Sequence, residues 1–230
     1  MALEKSVIRG VIFDLDGVLV DTAKYHFRSW IKTSEYLGFK LNPNLEEQLK
    51  GISRMDSLQI VLDSVGLLKS EAEKIELARL KNDWYLESLK QVNDSVILPG
   101  VKDFIGDLSQ KGIPMAVGSA SKNASRILKK LNLSRFFVSI VDGNLVKHTK
   151  PHPEVFLNAA RDLQIPEDEC LVFEDSQKGL LAAKAGGFHS VGIGDIDVLK
   201  EADIVISGFN GISFGEILTN MGKQVAYPSK

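Results

Sequence analysis

The feature that most constrains the fold is an interruption. Strand and helix patterns alternate through most of the chain, but from Asp21 to Val92 it reads as helix after helix. The first strand pattern, residues 7–13, is apolar and largely β-branched, as a strand buried on both faces requires. Further strand patterns fall at 113–117, 136–141, 171–173, 190–193 and 204–206, with helical patterns at 101–111, 122–131, 153–163 and 177–185 between them. This alternation predicts an α/β fold in which helical crossovers join the strands of a doubly wound, Rossmann-like parallel sheet. The interruption carries helical patterns at 23–37, 45–49, 55–65 and 70–89. Turn-prone Val20-Asp21-Thr22 opens it, and Asn93-Asp94-Ser95 leading to Pro99-Gly100 closes it. It predicts an α-helical cap domain at 21–94 inserted in a core of residues 1–20 and 95–230.

Chemistry in an open parallel sheet belongs at the carboxyl ends of its strands, and a cap inserted after the first strand would cover that edge. The strand ends are where the reactive side chains fall. Asp14 and Asp16 close the first strand; two apart in extended backbone, their side chains leave on the same side. A turn with two solvated aspartates would read the same way. The second core strand runs into Gly118-Ser119-Ala120-Ser121-Lys122-Asn123 and a helix, where a hydroxyl and backbone N–H groups can hold phosphate oxygens or simply cap the helix. Lys150, held beside Pro151 in HTKPHPEVF, is placed to reach into a cleft. The strand at 171–173 ends in Glu174-Asp175-Ser176, two carboxylates in an apolar context, which suits a hard cation or a surface turn.

Each cluster alone is ambiguous. Together they place four acids, a lysine and a hydroxyl on one sheet edge. Carboxylates and a backbone carbonyl suit Mg2+, which takes oxygen ligands and keeps a substrate phosphate in its shell. Lys150 and the cation would offset the repulsion of the acids and the charge of a transferring phosphoryl group. One carboxylate can then attack phosphorus, and the other can exchange a proton with the entering or leaving hydroxyl.

Composition removes other classes. Against 30 acidic residues there are 28 basic ones, so the chain has no excess positive charge for a nucleic-acid backbone or an anionic membrane. The single cysteine, Cys170, opens an apolar run and reads as a buried structural thiol. The apolar N-terminal stretch is short and contains Arg9, unlike a signal-peptide core, and no segment has the ~20 apolar residues that span a bilayer. The expectation is a cytoplasmic monomer that acts on a small molecule, with neither nucleic acid nor membrane as partner. The tail QVAYPSK carries no legible signal.

The set FDLDGVLVDT, GSASKN, Lys150-Pro151 and FEDS, in this order, resembles the four motifs of the haloacid dehalogenase superfamily. The resemblance extends over essentially the whole chain. It implies Asp14 as nucleophile, Asp16 as general acid/base, and Ser119 and Lys150 as holders of the transferring phosphate. It also implies Mg2+ held by Asp14, the backbone carbonyl of Asp16, and Asp175, with Glu174 close by. The cap strings DTAKYHFRSW, LKGISRMDSL and LARLKND are similar to those of the superfamily's sugar-phosphate mutases. By that resemblance Arg54 grips the phosphate not being transferred, and a guanidinium fork suits that dianion. His26, Trp30, Lys50, Gly51, Ser57 and Lys81 would line the sugar side, with Thr22 near the hinge and Asp16. Ser121, Lys122 and Asn123, beside Ala120, would complete the distal phosphate pocket. Read without the resemblance, Trp30 is a packing residue, His26 a capped or solvated side chain and Lys81 a solvated one. Met55 departs from the pattern, standing where an acidic residue commonly follows the arginine.

The implied reaction is interconversion of β-glucose 1-phosphate and glucose 6-phosphate through an aspartyl phosphate and β-glucose 1,6-bisphosphate. A sugar-phosphate phosphatase on the same scaffold, and a non-catalytic phosphate-ligand-binding protein, are the alternatives.

Overall fold

The computed structural model describes residues 7–225; residues 1–6 and most of the tail, 226–230, lie outside the described residues. Six short strands make the main sheet: β2 (Gly10–Phe13), β3 (Met115–Gly118), β4 (Ser139–Val141), β5 (Cys170–Glu174), β6 (His189–Ile193) and β7 (Ile204–Ile206). They run in the order β4-β3-β2-β5-β6-β7, every neighbouring pair parallel. The doubly wound parallel sheet expected from the alternation is the one found. Strands β2, β3 and β5 are buried at every residue, while the edge strands β4 and β7 are partly exposed. Central parallel strands are covered on both faces, whereas β7, apolar at all three residues, is partly exposed because it stands at the sheet edge.

Period-two alternation divides each central strand between two apolar layers. Val11, Phe13, Met115, Val117, Leu171 and Phe173 face one cluster, built with α4 (Val101–Gln110), α5 (Ala124–Lys130) and α8 (Phe214–Asn220). Ile12, Ala116 and Val172 face the other, built with α6 (Glu154–Leu163) and α7 (Gln177–Ala185). Phe13, Phe104, Phe173 and Phe209 form one aromatic knot beneath the strand that ends in Asp14, with Phe13 and Phe173 stacked at 5.0 Å. Packing of this density fixes the sheet edge as a rigid platform.

Between β2 and α4 lie α1 (Ala23–Tyr36), α2 (Arg54–Asp63) and α3 (Glu71–Leu89), which share a separate apolar cluster of Trp30, Leu41, Leu45, Leu58, Val61, Leu62, Leu77 and Ala78. The two connections that join these helices to the sheet lie side by side. Val20 bridges Ile97 antiparallel, Asp21 N donates to Val96 O (2.7 Å), and Leu98 N donates to Leu19 O (3.1 Å).

Three local readings are corrected. The strand read at 7–13 is two: β1 (Val7–Ile8) pairs parallel with β8 (Gln224–Val225), and the chain shifts to the main sheet after Arg9. Arg9 turns outward to Glu169 (2.8 Å), which a continuous buried strand would forbid. The pattern at 45–49 is a pair of 3-10 turns, Pro43–Leu45 and Glu47–Leu49, too short for an α-helix. Residues 136–141 begin in a 3-10 turn, and pairing starts only at Ser139. Cys170 is buried and free, its thiol pushed up to about 12 by burial. Among the described residues no helix is long and apolar enough to cross a membrane.

Candidate active site

Parallel strands end together, so the loops after β2, β3 and β5 meet at one edge. The ladder runs one residue past two of them: Asp14 N donates to Phe173 O and Ser119 N to Val141 O, both at 2.9 Å. These bonds fix the backbone from which the Asp14 and Ser119 side chains project. Lys150, from the loop before α6, is fully buried and reaches between two carboxylates, 2.6 Å from Asp14 Oδ1 and 2.7 Å from Glu174 Oε1. The other oxygen of Glu174 accepts from Ser176 N (2.7 Å) and Ser176 Oγ (2.9 Å), so both are engaged. Gly179 makes room for this arrangement; a Cβ there would stand 1.9 Å from Glu174 Oε1.

Asp14, Glu174 and Asp175 bring one carboxylate oxygen each within 4.8 Å of one another. The Asp175 carboxylate accepts no hydrogen bond and makes no ion pair among the described residues. Gly17, in the left-handed region at φ 83°, lets the turn after Asp16 pass against it. Burial pushes Asp14 up to about 7; Lys150 opposes that rise, and the charges of Glu174 and Asp16 add to it. Asp175 is pushed well above the usual carboxylate range by burial, then by Glu174 and Asp14. Lys150 is held above its ordinary value: burial opposes its charge, and the two carboxylates outweigh burial. One lysine against three clustered acids leaves negative charge that a cation would compensate, and an all-oxygen donor set suits a hard one. The carboxylate of Asp16 lies outside this cluster, accepting instead from Thr22 Oγ1. Burial raises its pKa, and the Thr22 bond works against that rise.

The haloacid dehalogenase-like hydrolase family model matches residues 11–193. The chain belongs to this family. It is 36% identical over 201 residues to the β-phosphoglucomutase of Bacillus subtilis, covering 86% of this chain and 89% of that one. It is 29% identical to a phosphorylated carbohydrates phosphatase of Thermotoga maritima, covering 80% and 84%. A crystal structure of β-phosphoglucomutase from Clostridium difficile superposes with a TM-score of 0.89 at 36% identity, over 94% of this chain and 97% of that one.

In this haloacid dehalogenase-family chain the cleft between sheet edge and helices encloses about 930 Å³, its open mouth included. Asp14, Asp16, Ser119, Ala120, Ser121, Lys122 and Asp175 line its core wall; His26, Trp30, Lys50, Gly51, Arg54, Ser57 and Lys81 line the opposite one. Lys150, Glu174 and Thr22 sit behind the wall, buried. Asn123 stands beside this lining, where its Nδ2 donates to Asn82 Oδ1 (3.1 Å), a tie from core to α3.

Lys81 is 2% exposed, with Nζ 2.8 Å from His26 Nδ1 and near the faces of Trp30 (4.8 Å) and Tyr85 (5.0 Å). Burial, then the charge of Arg54, hold it down to about 7. Burial, Lys81 and Arg54 hold His26 well below the ordinary imidazole value, so the ring is neutral. Nδ1 is engaged by Lys81, and the other ring nitrogen, Nε2, lies 3.7 Å from Asp16 Oδ1. Trp30 both packs and lines: it is 2% exposed in the helical cluster and forms part of the cleft. Arg54 forms no hydrogen bond or ion pair among the described residues. Met55 is partly exposed beside it, and Asp56 accepts from Ser53 Oγ (2.6 Å) and, across the cleft's rim, from Thr149 Oγ1 (2.8 Å).

The sequence reading missed Ala23, Phe27, Glu46, Leu49, Ile52, Ser53, Gly143 and Thr149 as lining residues. Ser53 carried a signal, since it caps α2 directly before Arg54. Gly143 had none: only the fold shows that a Cβ there would meet Ala120 O at 2.4 Å.

Proposed function

We propose that the chain acts as a β-phosphoglucomutase, interconverting β-D-glucose 1-phosphate and glucose 6-phosphate through an aspartyl phosphate at Asp14 and β-glucose 1,6-bisphosphate. The observation that carries this reading is the unpaired Arg54 guanidinium on the wall opposite the Asp14–Lys150 pair. A cleft with the Arg54 guanidinium on one wall and the Ser119–Lys122 loop on the other suits a substrate with two phosphates, which a mutase meets in its bisphosphate. The 36% identity to the Bacillus subtilis mutase supports it.

The chemistry follows from the residues. Asp14 attacks phosphorus, forming a carboxylate–phosphorus bond as the sugar's oxygen–phosphorus bond breaks. Asp16 gives its proton to the leaving sugar oxygen and, in the reverse transfer, takes it from the attacking hydroxyl. Lys150 offsets negative charge on Asp14 and on the phosphoryl oxygens. Ser119 and the loop to Lys122 hold the anion on the core side. The donor set of Asp14, Glu174 and Asp175, with the backbone carbonyl of Asp16, suits Mg2+, which when bound would neutralise charge on the transferring phosphoryl group. Arg54 holds the second phosphate while His26, Trp30, Lys50, Ser57 and Lys81 surround the sugar. Residues 21–94 act as the cap that excludes water, the competing acceptor.

The test is a coupled assay for glucose 6-phosphate from β-glucose 1-phosphate, with Mg2+ and a trace of β-glucose 1,6-bisphosphate, while free phosphate is followed. Isomerisation without phosphate release is the expected result. Phosphate release without isomerisation would instead make the chain a sugar-phosphate phosphatase, the activity for which the Thermotoga maritima relative is named.

A further inference from the structure

Two buried side-chain polar atoms have no hydrogen-bond partner among the described residues, His26 Nε2 and the Tyr85 hydroxyl. They belong to one stacked pair, with ring centroids 3.9 Å apart and planes 27° from parallel. Tyr85 is fully buried in α3 and lies outside the cleft wall. Packing alone does not account for a tyrosine here. A phenylalanine would give His26 the same stacking face and Lys81 the same ring, 5.0 Å from its Nζ, without burying an unpaired hydroxyl. Buried polar groups left without partners are rare enough that each needs a reason.

The reason lies in what the two atoms surround. His26 Nε2 is 3.7 Å from Asp16 Oδ1, and Thr22 Oγ1 donates to that same oxygen. The Tyr85 hydroxyl faces Thr22 without forming a hydrogen bond to it. The Asp16 carboxylate is therefore approached from one side by an imidazole whose plane Tyr85 sets, and from the other by a hydroxyl against which Tyr85 abuts.

We propose that Tyr85 is a positioning residue for the proton-transfer step: its ring holds the plane of His26 and its hydroxyl packs against Thr22, so that Asp16 is aimed at the sugar oxygen. The inference rests on the acid/base role given to Asp16 above. It does not depend on which sugar phosphate is the substrate.

The effect should follow the proton demand of the leaving group. When acetyl phosphate phosphorylates Asp14, the Asp14–phosphorus bond forms, the acetyl oxygen–phosphorus bond breaks, and acetate leaves with the electron pair and takes no proton. When phenyl phosphate does so, the departing phenoxide takes its proton from Asp16. Single-turnover phosphorylation of the Mg2+-loaded enzyme should therefore separate the two donors in Tyr85→Phe. Relative to wild type, the rate with phenyl phosphate should fall about tenfold or more, part of the roughly 10²–10⁴-fold that a positioned acid contributes. The rate with acetyl phosphate should stay within about twofold, because general acid catalysis adds nothing for so good a leaving group. Isomerase kcat should fall with the phenyl phosphate rate while KM holds, and the melting temperature of Tyr85→Phe should equal or exceed that of wild type. Equal losses with both donors, no loss with phenyl phosphate, or a lowered melting temperature would each overturn the proposal and leave Tyr85 a packing residue. A wild type that phosphorylates Asp14 but does not isomerise β-glucose 1-phosphate would sink the mutase reading alone, since the contrast between donors involves no sugar.

Discussion

The ammonium of Lys150 lies 2.6 Å from Asp14 Oδ1, with the lysine side chain fully buried and the aspartate 6% exposed. The bond engages one carboxylate oxygen, and Oδ2 accepts no hydrogen bond from the described residues. A buried nucleophile held by a single bond keeps one oxygen presented while its charge is offset at the other. Asp14→Asn preserves an acceptor for Lys150, so it should fold normally and form no phosphoenzyme. Intact-mass measurement after incubation with acetyl phosphate checks this, and a phosphate adduct on the Asp14→Asn variant would refute the nucleophile assignment.

Lys150→Met leaves Asp14 and Glu174 without their shared cation. Removing one partner of a buried ion pair costs on the order of 3–5 kcal/mol. Urea denaturation at pH 7 should show a loss of that order, partly restored by Mg2+. A loss below about 1 kcal/mol, the worth of a surface pair, would mean the triad is hydrated in solution.

Metal affinity should depend on pH through Asp14. Its pKa is raised to about 7 by burial, so between the ordinary carboxylate value of 3.8 and 7 the folded state holds a proton that the unfolded state has lost. Stability conferred by that group therefore falls as pH rises through this window, and a cation that binds the ionised form reverses the loss. Mg2+ should raise the melting temperature more at pH 8 than at pH 6. An equal increment at both values would remove Asp14 from the ligand set.

Lys81 has the opposite sign. Its pKa is lowered from 10.5 to about 7 by burial and then by Arg54, so between those values the unfolded state binds the extra proton. Stability should rise with pH across 7 to 10.5, by up to about 1.4 kcal/mol per unit if no other group compensates. Comparing unfolding free energies at pH 7 and pH 9 in wild type and Lys81→Met isolates the contribution. The slope should be smaller in the variant.

Replacing a helical glycine by alanine ordinarily stabilises by up to about 1 kcal/mol. At Gly179, inside α7, the sign should reverse, because the added Cβ meets Glu174 Oε1 at 1.9 Å and Glu174 is already fixed by Lys150 and Ser176. Gly179→Ala should lower both the melting temperature and the affinity for Mg2+, read by thermal shift and by calorimetric titration.

The core half of the site was legible because each strand is a short apolar run that stops at a polar residue, and parallel strands stop on one edge. Asp14, Ser119 and Glu174 could be aligned from that rule alone. The opposite wall was readable only through resemblance. Lys81 lies in a helix so rich in charge that its polarity pattern hides its inward face. A spacing of four does mark that face, since Leu77, Lys81, Tyr85 and Leu89 are all buried. Reading the lysine as part of that apolar row, rather than as one more solvated charge, would have brought Tyr85 into view beside it. The β1–β8 pairing was not legible, because two residues at each end of a chain carry no periodicity to read.

The two connections between sheet and helices lie against each other, joined at Val20 and Ile97. A helical unit tied by two adjacent connections would behave as a door on one hinge line rather than a weight on a string. Such a unit would swing over the sheet edge rather than slide along it. The same geometry makes the helical unit a cassette grafted at a single point. Another insert with its two ends equally close together could replace it if it also supplied what Tyr85 and Leu89 give the apolar cluster on the sheet, leaving the carboxylates in place and changing which acceptor is allowed to reach them.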